Sequence, residues 1–454
     1  MQVVRAGASS ADLARGCAPS ADYPPPMLDV LRNHPRFRRL WLAQLISQGG
    51  SWFNRIAVLT LISELGGEAY AVGTLYAVEL AIRLLPTTLF TPVAGPLADR
   101  LPRKAIMIGA DLIQAALVLC MIAVDEPGEL WLLYLLLFAN MGVGIFFESA
   151  RSASVPNTLP AEELHKAYAL SAATWSLMLS IGAISGGFAV RLVGVEGVFV
   201  IDALTYSSSA LLLLGLALPP TPHQPERFHW KDVLYARDLR RALGHARELR
   251  LLPALLAKTL WGGAGGYIVM LSVAGSERFG REFLAGTPAS DDPEALAARV
   301  AFATGALLSA RGLGTGLGPI LGRRFFGSDE RALLRQIACS FVLASLSYAC
   351  FGPAPSLPLA FLFVTLAHMG GSTIWVSSTT LWQRRVDDSF RGRIFALEFL
   401  WMTLSFSAGG FLGGVLYDRT ASIALATGWI SLVVLLSGLG WTAYARKSLR
   451  GRIT

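Results

Sequence analysis

The sequence predicts an all-α polytopic membrane protein, with about 12 membrane-crossing helices arranged as two six-helix halves. Three observations predict it. The 454 residues are 53% hydrophobic and only 15% charged, against about 25% charged in ordinary soluble domains. Mean hydropathy is +0.51. Twelve apolar stretches each reach the roughly 20 residues that cross a bilayer core, and the basic residues between them alternate sides.

The stretches lie near 38–63, 70–96, 103–124, 130–150, 166–191, 196–218, 251–275, 298–321, 332–351, 356–382, 393–416 and 422–445. With the N-terminus cytoplasmic, the cytoplasmic segments hold 30 of the 39 Lys and Arg. The external loops hold five: Arg191, Arg278, Arg281, Arg299 and Arg419. This bias follows the positive-inside rule and places both termini in the cytoplasm, with the chain in the cytoplasmic (inner) membrane. It also accounts for the net charge of +8 without a nucleic-acid partner.

Residues 1–36 are polar and Pro-rich and lack the short apolar core of a cleavable signal, so they read as a cytoplasmic tail. The first half covers 37–218. A cytoplasmic linker, 219–250, opens on Pro219-Pro220-Thr221-Pro222. Its stretch from Trp230 to Arg250 is expected to form a basic amphipathic helix on the membrane face. The second half covers 251–446, and 447–454 is a cytoplasmic tail. A polar external loop is expected from Glu277 to Ala297.

The halves repeat each other. Gly95-Pro96 matches Gly318-Pro319 at an offset of 223 residues, and the stretch Thr158 to Leu170 lies on Arg385 to Leu397 at an offset of 227. Parallel six-helix halves place a substrate near the midplane between them. Cys17, Cys120, Cys339 and Cys350 have neither metal nor disulfide-framework spacing. No phosphate-binding glycine loop, His cluster or nucleophile–base pairing stands out, so no cofactor, metal, ATP-driven step or enzymatic activity is expected.

Between the second and third stretches runs Gly95-Pro96-Leu97-Ala98-Asp99-Arg100-Leu101-Pro102-Arg103-Lys104. This resembles the loop signature of the major facilitator superfamily, with Pro102 where that family has glycine. The second copy is degenerate, with Gly322 in the place of Asp99. The resemblance implies the major facilitator fold and a conformational latch. In that latch Asp99, with Gly95, Arg100 and Arg103, meets the start of the eleventh helix at Arg391 and Arg393. Glu148 and Arg151 are further partners for Arg103. A carboxylate at a helix N-terminus is stabilised by about 0.3–1 kcal/mol, and Gly95 would permit close helix approach.

Charges inside spans cost roughly 2.5–3.5 kcal/mol each and mark function or pairing. Gln44, Gln48, Ser51 and Arg55 share one face of the first helix, which reads as a wet cavity wall beside a bendable Gly49-Gly50 pair. Glu79 and Arg83, four apart, are expected to satisfy each other. Lys258 and Glu398 read as shallow, Lys258 snorkelling to the membrane face. The resemblance implies that the first, fourth, seventh and tenth helices line a cavity. Its candidate residues are Gln48, Arg55, Asn140, Trp261, Arg311, His368 and Trp375. Glu79 and His368 are the proton-coupling candidates, although a midplane histidine is more often a packing residue. Arg55, Arg83 and Arg311 outnumber Glu79 as deep charges, which points to an anionic or polyphenolic substrate.

Within the superfamily the chain is similar to bacterial exporters that include the enterobactin exporter and the macrolide efflux proteins. The carrying residues are Phe37 to Ser47, Pro156 to Leu164 and Arg391 to Leu397. Gly182-Ala183-Ile184-Ser185-Gly186-Gly187 matches an antiporter signature in part and lacks its proline. The resemblance implies a monomeric secondary exporter in the lipid bilayer, working by alternating access. It would exchange protons for a siderophore-like or drug-like small molecule. The rival readings are a lysophospholipid transporter and a non-transporting membrane sensor of the same fold.

Overall fold

The computed structural model describes residues 29–66, 71–218, 236–284, 287 and 292–450. The expected tail over 1–28 with Cys17, the linker stretch 219–235, residues 285–286 and 288–291 of the polar loop, and 451–454 lie outside the described residues.

Twelve long helices run through the described residues. They are α1 (Pro35–Gly66), α2 (Val72–Arg100), α3 (Arg103–Cys120), α4 (Leu130–Ser154), α5 (164–193) and α6 (195–214) in the first half. The second half has α7 (Leu252–Arg281), α8 (Pro293–Phe326), α9 (Glu330–Phe351), α10 (Leu357–Gln383), α11 (Asp388–Thr420) and α12 (Ile423–Arg450). No strand occurs among the described residues.

Ten helical runs are long and apolar enough to cross a membrane. One of them, Ala161–Leu214, has 54 residues, about twice a span at 1.5 Å per residue. Gly194, at φ 73°, divides it into α5 and α6; a residue without Cβ takes that φ at little cost. α1 has 32 residues, enough to span. It falls short on apolarity because Gln44, Ser47, Gln48, Ser51, Asn54 and Arg55 interrupt it. Twelve spans result, as the sequence predicts. Asp292 caps α8 by accepting from the Glu294 and Ala295 amides at 3.0 and 3.4 Å.

α7 is the most enclosed helix. Its most apolar stretch is 78% buried, against 28% for α2. Small residues bring α11 onto it: a Cβ on Gly265 would overlap the Phe406 carbonyl. The outer surface carries large apolar side chains, among them Trp131, Leu192, Leu211 and Leu412, as a lipid-facing wall requires. From the linker, a helix over Ala236–Glu248 lies against the start of α11. There the His245 ring stacks on Phe390 at 4.2 Å.

The halves meet along two seams. α5 and α8 touch from Gly187 against Ala301 and Phe302 to Gly316 against Ser176. α2 and α11 touch at Gly73 against Gly414 and at Leu80 against Gly410. That contact belongs to the end of the bundle opposite the termini. Toward the termini, a Cβ on Gly95 or Gly392 would meet nothing within 4 Å. Among the described residues, the close contacts between α2 and α11 thus lie at the end away from the termini.

Candidate functional site

The midplane cluster of the first half joins three helices. Arg83 Nε donates to Glu79 Oε1 one turn away on α2, and Arg55 Nε on α1 stands 4.0 Å from the same oxygen. Arg83 Nη1 approaches Met141 Sδ of α4 at 3.9 Å. Glu79 is buried, and Arg55 packs over the Trp52 ring at 5.4 Å. Two guanidiniums share one carboxylate, so the cluster carries a net positive charge. Arg55 Nε and Arg83 Nη2 are buried without hydrogen-bond partners, as is Gln48 Oε1 on the same face of α1. Donors left over in a low-dielectric site favour an acceptor arriving from outside the chain.

Asn140 is buried and turns away from this cluster. It exchanges 3.4 Å hydrogen bonds with Gln114 of α3. In the second half Trp261 packs edge-on against Phe406 at 5.0 Å, and its indole lies on Gly371. Arg311 is half-buried on α8. His368 is buried, with its ring bonded to the Tyr348 hydroxyl. Tyr348 in turn stacks on Tyr267 at 3.5 Å, and Tyr267 donates to Ser431 at 2.7 Å. His368 therefore sits in a packed aromatic network of α7, α9, α10 and α12. Trp375 is half-buried and its ring lies 4.5 Å from Lys258 Nζ.

Lys258 corrects the snorkelling expectation. It is 1% exposed, and its ammonium donates to Glu398 at 2.7 Å and to Thr379 at 2.6 Å. The pair joins α7, α10 and α11 inside the bundle. The count of deep charges needs a second correction. Asp111 on α3 and Asp202 on α6 are each 1% exposed, so deep acids are not confined to Glu79. Each acid sits alone in an apolar run, and that was the only local signal of its presence.

At the termini end, Asp99 is half-exposed and accepts from Arg103 Nη2 at 3.3 Å within its own half. Arg103 also holds the Ala98 and Ala153 carbonyls at 3.0 and 2.7 Å. It thereby reaches α4 through backbone, while Glu148 grips Arg151 at 2.6 Å. Lys104 donates to the Leu214 carbonyl at the end of α6. Across the gap, Arg391 Nε donates to the Val386 carbonyl, and Arg393 lies 5.3 Å above Phe390.

Asp418, which the sequence reading overlooked, holds the opposite end. Its carboxylate, near the end of α11, accepts from the Gly73 and Thr74 amides at 2.8 Å each and from the Thr74 hydroxyl at 2.6 Å. It thereby caps the N-terminus of α2 from the other half. Nearby, Arg281 of α7 donates to the Ser63 carbonyl at the end of α1.

Two six-helix halves with charged groups at their midplane are the arrangement of a membrane transport protein. The profile of the Major Facilitator Superfamily matches residues 40–291, more than half of the chain, and the protein belongs to that family. It is 26% identical over 388 residues to macrolide efflux protein A of Streptococcus pyogenes, covering 85% of this chain and 90% of the relative. It is 26% identical over 380 residues to the enterobactin exporter EntS of Escherichia coli O1:K1 / APEC, covering 81% and 82%. A solved bacterial homologue of the lysosomal transporter Spinster superposes with a TM-score of 0.64 at 14% identity, over 91% of this chain and 98% of that one. This last likeness is one of fold. The chain is accordingly a multi-pass transporter of small molecules, in a family whose members are not enzymes.

Proposed function

We propose that the protein is a secondary exporter of a small organic molecule, working by alternating access with protons as the counter-ion. The observation that carries this is the asymmetry of the α2–α11 pair: Asp418 bonds across the halves at one end, while Asp99 at the other bonds within its own half, around a midplane with surplus guanidinium donors. The relatives named for macrolide efflux and enterobactin export support the direction of transport. The substrate is read as an amphiphile with acceptor oxygens, siderophore-like or drug-like. Arg55 and Arg83 donate to its oxygens, Gln48 Oε1 accepts from a substrate hydroxyl, and Trp261, Arg311 and Trp375 complete the wall.

The basic bias of the termini end places that end in the cytoplasm of the inner membrane. The state described above then faces inward. In the outward-facing state Asp99 leaves Arg103 and caps the N-terminus of α11 beside Arg391 and Arg393. Gly95 lets the helices close, and Arg100, Glu148 and Arg151 frame the contact. Glu79, held by two guanidiniums, responds to substrate binding, and His368 serves packing. The monomer is taken as the working unit.

The test is efflux from proteoliposomes under an imposed pH gradient, with a macrolide and a catecholate siderophore as probes. Gradient-driven efflux of either is expected, reduced by Arg55→Gln. Absence of flux for both probes from folded protein would overturn the reading.

A further inference from the structure

The first half contains a second polar interior, one that the cluster of Arg55, Glu79 and Arg83 does not use. On α6, Asp202, Tyr206 and Ser209 stand at i, i+4 and i+7 and share a face. On α3, Asp111 and Gln114 stand at i and i+3. The two helices run in opposite directions and pack together. Gln114 Nε2 donates to the Tyr206 hydroxyl at 3.1 Å and joins the two faces. Tyr206 also meets Ser51 of α1 at 3.0 Å, and Ser51 belongs to the polar stripe of the cavity wall. Hydroxyl and amide groups therefore run from the cavity wall to Tyr206, one turn from Asp202 on α6, and to Gln114, one turn from Asp111 on α3.

Neither aspartate forms an ion pair among the described residues. Oδ2 of Asp202 is buried without a hydrogen-bond partner, and buried Asp111 is faced by the Ser209 hydroxyl alone, outside good hydrogen-bond geometry. The Thr205 hydroxyl touches Asp202 Oδ1 at 3.4 Å, which is a long bond. The charged and titratable groups that face the pair are few. They are Tyr206 from α6, which lies between the aspartates, and Arg83 from α2, whose guanidinium acts on Asp202 and Tyr206 from a distance. Around them α1 presents Ser51 and the backbone at Gly50, and α3 and α4 present Gln114 and Asn140, none of them charged. Structural aspartates inside a membrane are paired, because an unpaired ion there costs roughly 2.5–3.5 kcal/mol. Two unpaired carboxyls on one face pair are not explained by packing.

We propose that Asp111 and Asp202, joined through Tyr206, form a proton-binding site inside the first half that carries the coupling protons of transport. The proposal rests on the exporter reading above. Both carboxyls are neutral acids in the state described. In the opposite state the Asp202 O–H bond breaks, the proton leaves to water, and the carboxylate takes Arg83, whose Nη2 is buried without a partner. Arg83 thereby leaves Glu79, so proton release and the substrate cluster respond to each other through one guanidinium.

The experiment has two arms. Infrared difference spectra of the purified full chain at neutral pH are expected to show the carbonyl stretch of a protonated, buried carboxyl. That band is lost in the variant carrying Asp111→Asn and Asp202→Asn, and is kept at a shifted frequency with Asp111→Glu and Asp202→Glu. In proteoliposomes with a radiolabelled macrolide, the asparagine variant is expected to keep exchange at equal concentrations while losing gradient-driven accumulation. A band of undiminished intensity in the asparagine variant, or undiminished accumulation, overturns the proposal. If that variant does not fold, an unshifted band in the glutamate variant overturns it equally. If the wild type accumulates nothing under a gradient, the exporter reading fails while the infrared arm still decides the site.

Discussion

The two ends of the α2–α11 pair use the same chemistry and are in opposite conditions. Asp418 lies near the end of α11 and caps the N-terminus of α2 with three hydrogen bonds from the other half. Asp99 lies near the end of α2, half-exposed, and is satisfied within its own half by Arg103. Each carboxylate is one helix length from its own N-terminus, and only Asp418 meets the partner's. The difference teaches that a carboxylate at a helix N-terminus is a contact that a rocking bundle can make at one end only. The residue that loses it needs a local substitute, and Arg103 supplies one for Asp99.

Five substitutions break or sharpen that comparison. The largest effect is expected away from both ends. Lys258→Met leaves Glu398 buried without its ammonium, and such a loss costs about 3–5 kcal/mol. Thermal unfolding in detergent should fall accordingly, and adding Glu398→Leu should recover most of it. Spin-label distances at the two ends of the bundle should stay unchanged, since the pair belongs to neither contact.

Gly73→Leu comes next. Its Cβ would lie 2.5 Å from the Gly414 carbonyl, and overpacking of that kind costs about 1–3 kcal/mol. The clasped end should open. The distance between labels at Pro102→Cys and Gly392→Cys, read by electron–electron resonance, should shorten as the other end closes. Gly95→Leu, with open space around it, should leave that distance unchanged in this state. Equal responses to the two glycine substitutions would refute the asymmetry.

Asp418→Asn removes the charge and turns one of two accepting oxygens into an NH2 group that cannot accept, so at least one of the three hydrogen bonds is lost. Leaving a donor without its acceptor costs about 1–3 kcal/mol. The same label pair should report a partial shift toward the state closed at Asp99. Asp99→Asn has the smallest effect on stability, since exposed pairs are worth about 0.2–1 kcal/mol. Its mark should be kinetic, a slower efflux with an unchanged unfolding temperature. A large stability loss would mean that Asp99 carries more of the resting fold than its exposed pairing with Arg103 implies.

Much of the architecture was legible because it rests on local quantities. The length of each apolar run is fixed by the bilayer it must cross. The Asp99 loop was legible because all its parts lie within ten consecutive residues. Asp418 was not, because its partners are 344 and 345 residues away. Depth alone predicts that Lys258 snorkels, whereas Glu398, 140 residues away, draws it inward. Asp111 and Asp202 were absorbed into their spans because a single acid barely lowers the hydropathy of 20 residues.

By itself, then, the sequence determined the fold class, the twelve spans, the two halves, the charge bias between the two ends and the identity of the Asp99 loop. Apolar length and charge bias act through the solvent, and the solvent is the same along the whole chain. Only the tertiary structure decided which end is clasped, which charges pair across helices and which carboxyls are left without a cation. Those outcomes depend on the face each side chain presents to a helix far away in sequence, and no local pattern encodes that rotation.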